Sequence, residues 1–79
     1  MVDLKQVLLD LARALVDDQE AVEVTETVVE DTVTLSLRVA EGDMGKVIGR
    51  HGRIANALRT VLKAAGNLNH QKVIVDIDS

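Results

Sequence analysis

Residues 47–54 read Val47-Ile48-Gly49-Arg50-His51-Gly52-Arg53-Ile54. Two glycines three positions apart, enclosing only Arg-His, interrupt the chain between two helical patterns. Glycine accepts backbone angles closed to other residues and carries no Cβ, so a sugar-phosphate chain has room to approach the main chain there. The helix that follows opens with free N–H groups and the positive end of its dipole, both favourable to phosphate oxygens. Arg50 and Arg53, with Lys46 just upstream, add cationic charge, and Ile48 and Ile54 offer aliphatic surface on which bases could rest.

Upstream of this stretch, Gly42-Asp43 reads as a turn and N-cap, and Met44 to Ile48 as one short helical turn. Downstream, Ile54, Ala57, Leu58, Val61, Leu62 and Ala65 form the apolar stripe of a longer helix, with Asn56, Arg59, Thr60 and Lys63 opposite and Gly66 as its stop. After the polar loop 67–70, Val73, Val75 and Ile77 alternate with polar residues in a closing strand over 72–78. Gly45 is expected to permit close helix packing.

The first half supplies the remaining elements. Leu4, Val7, Leu8, Leu11, Ala12 and Leu15 follow the i, i+3, i+4 spacing of an amphipathic helix, with Asp3 and Gln6 placed as a capping box. This helix should end between residues 16 and 19, where Asp17 and Asp18 oppose its negative dipole end. Over 22–40 the period falls to two. Val22, Val24 and Val28 mark one half-buried strand and Val33, Leu35, Leu37 and Val39 a second, joined by a hairpin turn at Glu30-Asp31 that lacks the glycine a primed turn favours.

The order is thus α-β-β-α-α-β. A right-handed crossover through the two later helices places the last two strands parallel, with the first strand antiparallel on the outside. The expected fold is a two-layer α+β domain spanning 1–79, a three-stranded mixed sheet with helices on one face.

Thirteen Val, ten Leu and four Ile among 79 residues give ample core, and the chain should fold. At this length about 60–65% of the unfolded surface is buried, which leaves no room for two independent cores. Cysteine is absent, which removes disulfides, thiolate metal sites and a cysteine nucleophile. Phe, Tyr and Trp are also absent, so aromatic stacking on bases and aromatic cages for methylated cations are excluded. No 18-residue apolar run or signal-peptide core occurs, so a cytoplasmic location is expected.

The net charge of −4 argues at first against a phosphate-rich partner, but its distribution reverses that reading. Residues 44–66 hold Lys46, Arg50, Arg53, Arg59 and Lys63 and no acid, +5 in all. The other four bases and all thirteen acids lie outside, leaving −9 there. Such a dipolar molecule suits a polyanion engaged at one place and repelled elsewhere. Arg59 and Lys63 also fit the plain solvated face of a helix.

The octapeptide resembles the KH-domain signature, an aliphatic-Ile-Gly-x-x-Gly run followed by an isoleucine, at Val47, Ile48, Gly49, Gly52 and Ile54. The element order is similar to the type II arrangement over nearly the whole chain, and by size the chain looks most like the small stand-alone bacterial KhpA-like proteins. The resemblance implies single-stranded RNA binding, with the Gly-x-x-Gly loop and an aliphatic groove holding about four nucleotides. It assigns Lys46, Val47, Ile48, Gly49, Arg50, His51, Gly52, Arg53 and Ile54 to the RNA site. It further implies self-association as a homodimer or pairing with a larger KH-containing, KhpB-like protein. The role it implies is that of an RNA chaperone or post-transcriptional regulator linked to cell growth, division and shape.

Other chemistries find less support. Gly42-Asp43-Met44-Gly45-Lys46 lacks the spacing and hydroxyl residue of a Walker A loop. His51 and His70 have no third ligand at suitable spacing, so neither a metal nor another cofactor is expected. Asp17, Asp18 and Glu20 read as a solvated end, without a base or nucleophile beside them, and no enzyme activity is expected. The alternative function is a protein-interaction module that keeps a KH scaffold without binding RNA, which the acidic surface outside 44–66 motivates.

Overall fold

A computed structural model describes residues 1–78. The elements run α1 (Leu4–Leu15), β1 (Glu23–Val29), β2 (Thr32–Arg38), α2 (Met44–Ile48), α3 (Arg53–Leu68) and β3 (Lys72–Asp78), with single 3₁₀ turns at Gln19–Ala21, Glu41–Asp43 and Arg50–Gly52. The sheet order is β1-β2-β3. β1 pairs antiparallel with β2 and β3 parallel with it, so the expected crossover and mixed sheet are present.

The alternation in the strands decides which face meets the helices. Val33, Leu35 and Leu37 of the central strand β2 are buried, together with Val24 of β1 and Val73 and Val75 of β3. Leu4, Leu8 and Ala12 of α1, Val47 of α2 and Leu62 of α3 close the core from the other side. Val28 departs from expectation. It lies on the helix-facing side, opposite Val33, yet is 52% exposed because β1 runs on past the cover the helices provide.

Local chemistry sets the element ends. The Asp3 carboxylate accepts from the Gln6 amide at 3.1 Å, but the Gln6 side chain turns forward to Asp10 at 2.8 Å instead of back to Asp3. Only half of the capping box therefore forms, the rest being replaced by an i, i+4 contact. The hairpin is closed by Glu30-Asp31 alone, with Glu30 at φ 55° taking the left-handed role that glycine usually fills. The Asp31 carbonyl accepts from the Lys72 amide at 2.7 Å and so aligns the start of β3.

Two glycine expectations are corrected. Gly66 does not stop α3, which continues to Leu68. It is buried because α3 crosses β3 closely there: a Cβ at this position would stand 2.4 Å from Val73 Cγ2 and 2.9 Å from the Gln71 carbonyl oxygen. The helix ends in a Schellman motif, Gln71 N–H donating to the Gly66 carbonyl at 2.9 Å and His70 N–H to that of Asn67 at 3.2 Å. His70, at φ 58°, occupies the left-handed position, so its role is a backbone one. Gly45 permits no close packing, since it is exposed and a Cβ there would meet no heavy atom within 4 Å.

The apolar stripe of α3 is also rotated from the expected one. Ala55, Leu58, Leu62 and Gly66 are the buried positions, while Ala57 is exposed and Val61 is 46% exposed. The helix packs against both α1 and β3, and its contact with the strand pulls the buried line toward Ala55 and Gly66.

Candidate nucleic-acid interface

The site is built on the junction of α2 and α3. α2 is five residues long and buries only Val47. Its chain leaves through Gly49, whose φ of 74° and ψ of 175° lie in a region essentially reserved for glycine. His51 (φ 57°) and Gly52 (φ 72°) then take left-handed angles within a single 3₁₀ turn, and α3 begins at Arg53. Histidine is among the few residues other than glycine that enter this region readily.

The two glycines serve different purposes. A Cβ at Gly49 would lie 2.6 Å from Ile54 Cγ1 and 3.0 Å from Ile54 Cβ, so the absent side chain is what lets the loop rest on Ile54. Gly52 has nothing within 4 Å of that position, so its backbone faces open space. No side chain caps α3 at Gly52. The first-turn amides of a 16-residue helix therefore lack a side-chain acceptor at its entry, beside an unobstructed glycine.

The basic residues divide into two groups. Among the described residues, the side chains of Arg50, His51 and Arg53 are exposed and have no hydrogen-bond or ion-pair partner within the chain. Lys63 is also exposed. Arg59 is half-buried, its Nε donating to the Val75 carbonyl at 3.3 Å and its NH1 to Asn56 Oδ1 at 3.4 Å. Its guanidinium therefore bridges α3 to β3, and Arg59 is more than part of a solvated helix face.

Lys46 is engaged inside the chain. Its ammonium pairs with Asp17 and lies 3.1 Å from Asp43 Oδ1. Asp43 is the buried polar residue that sequence reasoning missed. It precedes α2 where an N-cap belongs, yet it makes no cap bond and instead accepts from the Asp18 amide at 3.0 Å through Oδ2. The backbone amide of Asp18, helped by Lys46 and the amide of Asp17, holds its carboxyl below the usual carboxylate range. Hydrogen bonds to Asp17 and then Asp43 raise the Lys46 ammonium above its ordinary value. An acid at the N-cap position is the only sequence signal for this network.

The isoleucines expected to share one apolar floor behave differently. Ile48 is 37% exposed at the end of α2. Ile54 is half-buried under Gly49 and lines an apolar depression of about 360 Å³ between α1 and α3, with Leu11, Ala14, Leu15, Ala57 and Val61. On the β3 side of α3, Lys63 and Asn67 line a second depression with Lys72 and Ile74, the last 49% exposed. Among the described residues, no group of three or more His, Asp or Glu could hold a metal. No helix among them is long and apolar enough to cross a membrane.

The family model of the KhpA/KhpB KH domain matches residues 5–77, which reaches into every element of the fold and spans the whole loop. The chain belongs to the KhpA/KhpB KH-domain family. Full-length relatives agree with this placement. It is 49% identical to the RNA-binding protein KhpA of Clostridium acetobutylicum over 74 residues, covering 94% of this chain and 99% of that protein. The KhpA of Aquifex aeolicus is 46% identical over 94% of both chains, and that of Treponema pallidum 46% identical over 92% of this chain and 91% of its own. No solved structure is significantly similar.

Proposed function

We propose that this KH-family chain binds single-stranded RNA through the Gly49-Arg50-His51-Gly52 loop. The observation that carries the reading is the exposed, unpartnered Arg50-His51-Gly52-Arg53 edge at the uncapped entry of α3, in a chain whose curated relatives are named RNA-binding proteins. Gly52 presents open backbone to the ribose-phosphate chain, and Arg50, His51 and Arg53 supply charge-assisted donors to phosphate. Ile54 acts from beneath, holding Gly49 in place, while Ile48 offers aliphatic contact to a base. α3 rises 1.5 Å per residue, so Lys63 lies roughly 15 Å along the helix from Arg53, within reach of a bound segment of about four nucleotides.

The absence of aromatic rings limits affinity, because base stacking, worth about 1–3 kcal/mol per base where rings supply it, is missing. A second linked site restores useful affinity through effective concentration. Self-association, or pairing with a larger KH-containing protein of the KhpB kind, therefore belongs to the same proposal, as does a cytoplasmic role as RNA chaperone or post-transcriptional regulator. For self-association, the apolar depression bearing Val61 is the surface we assign. Sedimentation velocity should show mass rising above the monomer with concentration; a monomer throughout would remove this part of the proposal.

Binding is tested by fluorescence anisotropy with short single-stranded RNAs at low salt. Weak saturable binding is expected, with log K falling linearly with log salt at about 0.7 per phosphate engaged. No binding at low salt would favour the protein-interaction module instead. Matched RNA and DNA oligonucleotides report whether the 2′-OH contributes.

A further inference from the structure

The network around Lys46 does more than remove one cation from the exposed edge. We propose that Lys46 and Asp43 form an internal anchor that positions the Gly-x-x-Gly loop, with Lys46 making no contact to phosphate. Its consequence for RNA affinity rests on the binding reading above, whereas its effect on loop rigidity does not.

A helix of five residues is too short to hold itself in water, and Val47 is its one buried side chain. Its start must therefore be fixed from outside. Asp43 Oδ2 takes the Asp18 amide at 3.0 Å across 25 positions of sequence, and one turn later Lys46 reaches both Asp43 and Asp17. These bonds tie the head of α2 to the segment between α1 and β1. At the other end of α2, Gly49 N–H donates to the Gly45 carbonyl at 2.9 Å and Gly52 N–H to the Gly49 carbonyl at 3.2 Å. A tilt of α2 is thus carried directly into the loop.

The ammonium is also poorly placed to serve RNA. The Asp43 side chain is 7% exposed, and a carboxylate so enclosed is costly to leave without its cation. With Asp17 and Asp43 beside it, the group of three carries a net charge of −1, which repels phosphate.

Two measurements on Lys46→Met decide the matter. Amide hydrogen exchange at Gly49 and Gly52 should accelerate about tenfold while Leu35, in the central strand, is unmoved, since the opening is local. RNA affinity should fall by a similar factor with the salt slope unchanged, whereas Arg50→Gln should lower the slope by about 0.7. Lys46→Arg should restore both readouts. A slope lowered by about 0.7 in Lys46→Met, or unchanged exchange at both glycines, overturns the anchor. Asp17→Asn keeps the Asp43–Lys46 bond and is the milder variant: roughly threefold faster exchange at the two glycines is expected. No acceleration there overturns the anchor even when Lys46→Met does not fold. The exchange arm decides the anchor whether or not RNA binds, so its failure is separable from failure of the RNA reading.

Discussion

Replacing Arg50 and His51 together by Asp should abolish measurable RNA binding and leave the fold intact. Both side chains are exposed and neither has a partner within the described chain, so no packing or hydrogen bond is lost. Position 51 holds a left-handed backbone at φ 57°, a conformation Asp adopts about as readily as His. The loop should therefore keep its shape while its charge reverses. Hydrogen bonds to charged partners contribute about 1.5–3 kcal/mol each, so losing two lowers affinity at least about 100-fold before repulsion is counted. Circular dichroism should show unchanged helix content. Retained RNA affinity in the double variant would contradict a role for the loop.

The second large effect separates the two glycines. Gly49→Ala places a methyl group against Ile54, on a backbone that only glycine adopts freely. The backbone contributes about 1–3 kcal/mol of strain and the overlap with Ile54 about as much again. A total stability of roughly 0.05–0.15 kcal/mol per residue makes that a large share for a small domain. A melting temperature lower by more than about 10 °C is expected. Gly52→Ala meets only left-handed strain of about 1–2 kcal/mol, because nothing lies within 4 Å of the new methyl. That variant should stay folded yet bind RNA less tightly, the methyl standing on the path proposed for the ribose-phosphate chain. Equal destabilisation by the two substitutions would contradict the distinct roles assigned to the two glycines.

Much of this architecture is legible in the sequence because each strand buries one face and the crossover rule leaves a single compact arrangement. Val33, Leu35, Leu37, Val73 and Val75 are buried where alternation places them. The loop is equally legible, since both its glycines sit at positive φ. What the sequence conceals depends on neighbours distant along the chain. Gly66 carries the same local signal as a helix stop, and only the approach of Val73 shows that it is a packing position. Asp43 carries the signal of an N-cap, and only the Asp18 amide, 25 residues away, shows where its carboxylate goes. Periodicity likewise counts Val61 as core, because it registers apolar spacing and not the tilt of α3 between α1 and β3.

The acidic, ring-free composition also takes on a physical meaning. Negative charge lies outside residues 44–66, where it discourages indiscriminate contact with polyanions. The lack of rings leaves the proposed grip to backbone, arginine and aliphatic contacts, each of which depends on the loop being held in place.

The most direct measurement is an NMR titration of the unmutated, isotope-labelled protein with a single-stranded RNA of about four to six nucleotides at low salt. The largest amide shift changes should fall on Gly49, Arg50, His51, Gly52 and Arg53, with smaller ones along α3 toward Lys63. No shifts, or shifts confined to the outer sheet face at Thr25, Thr34 and Ser36, would contradict RNA binding at this loop.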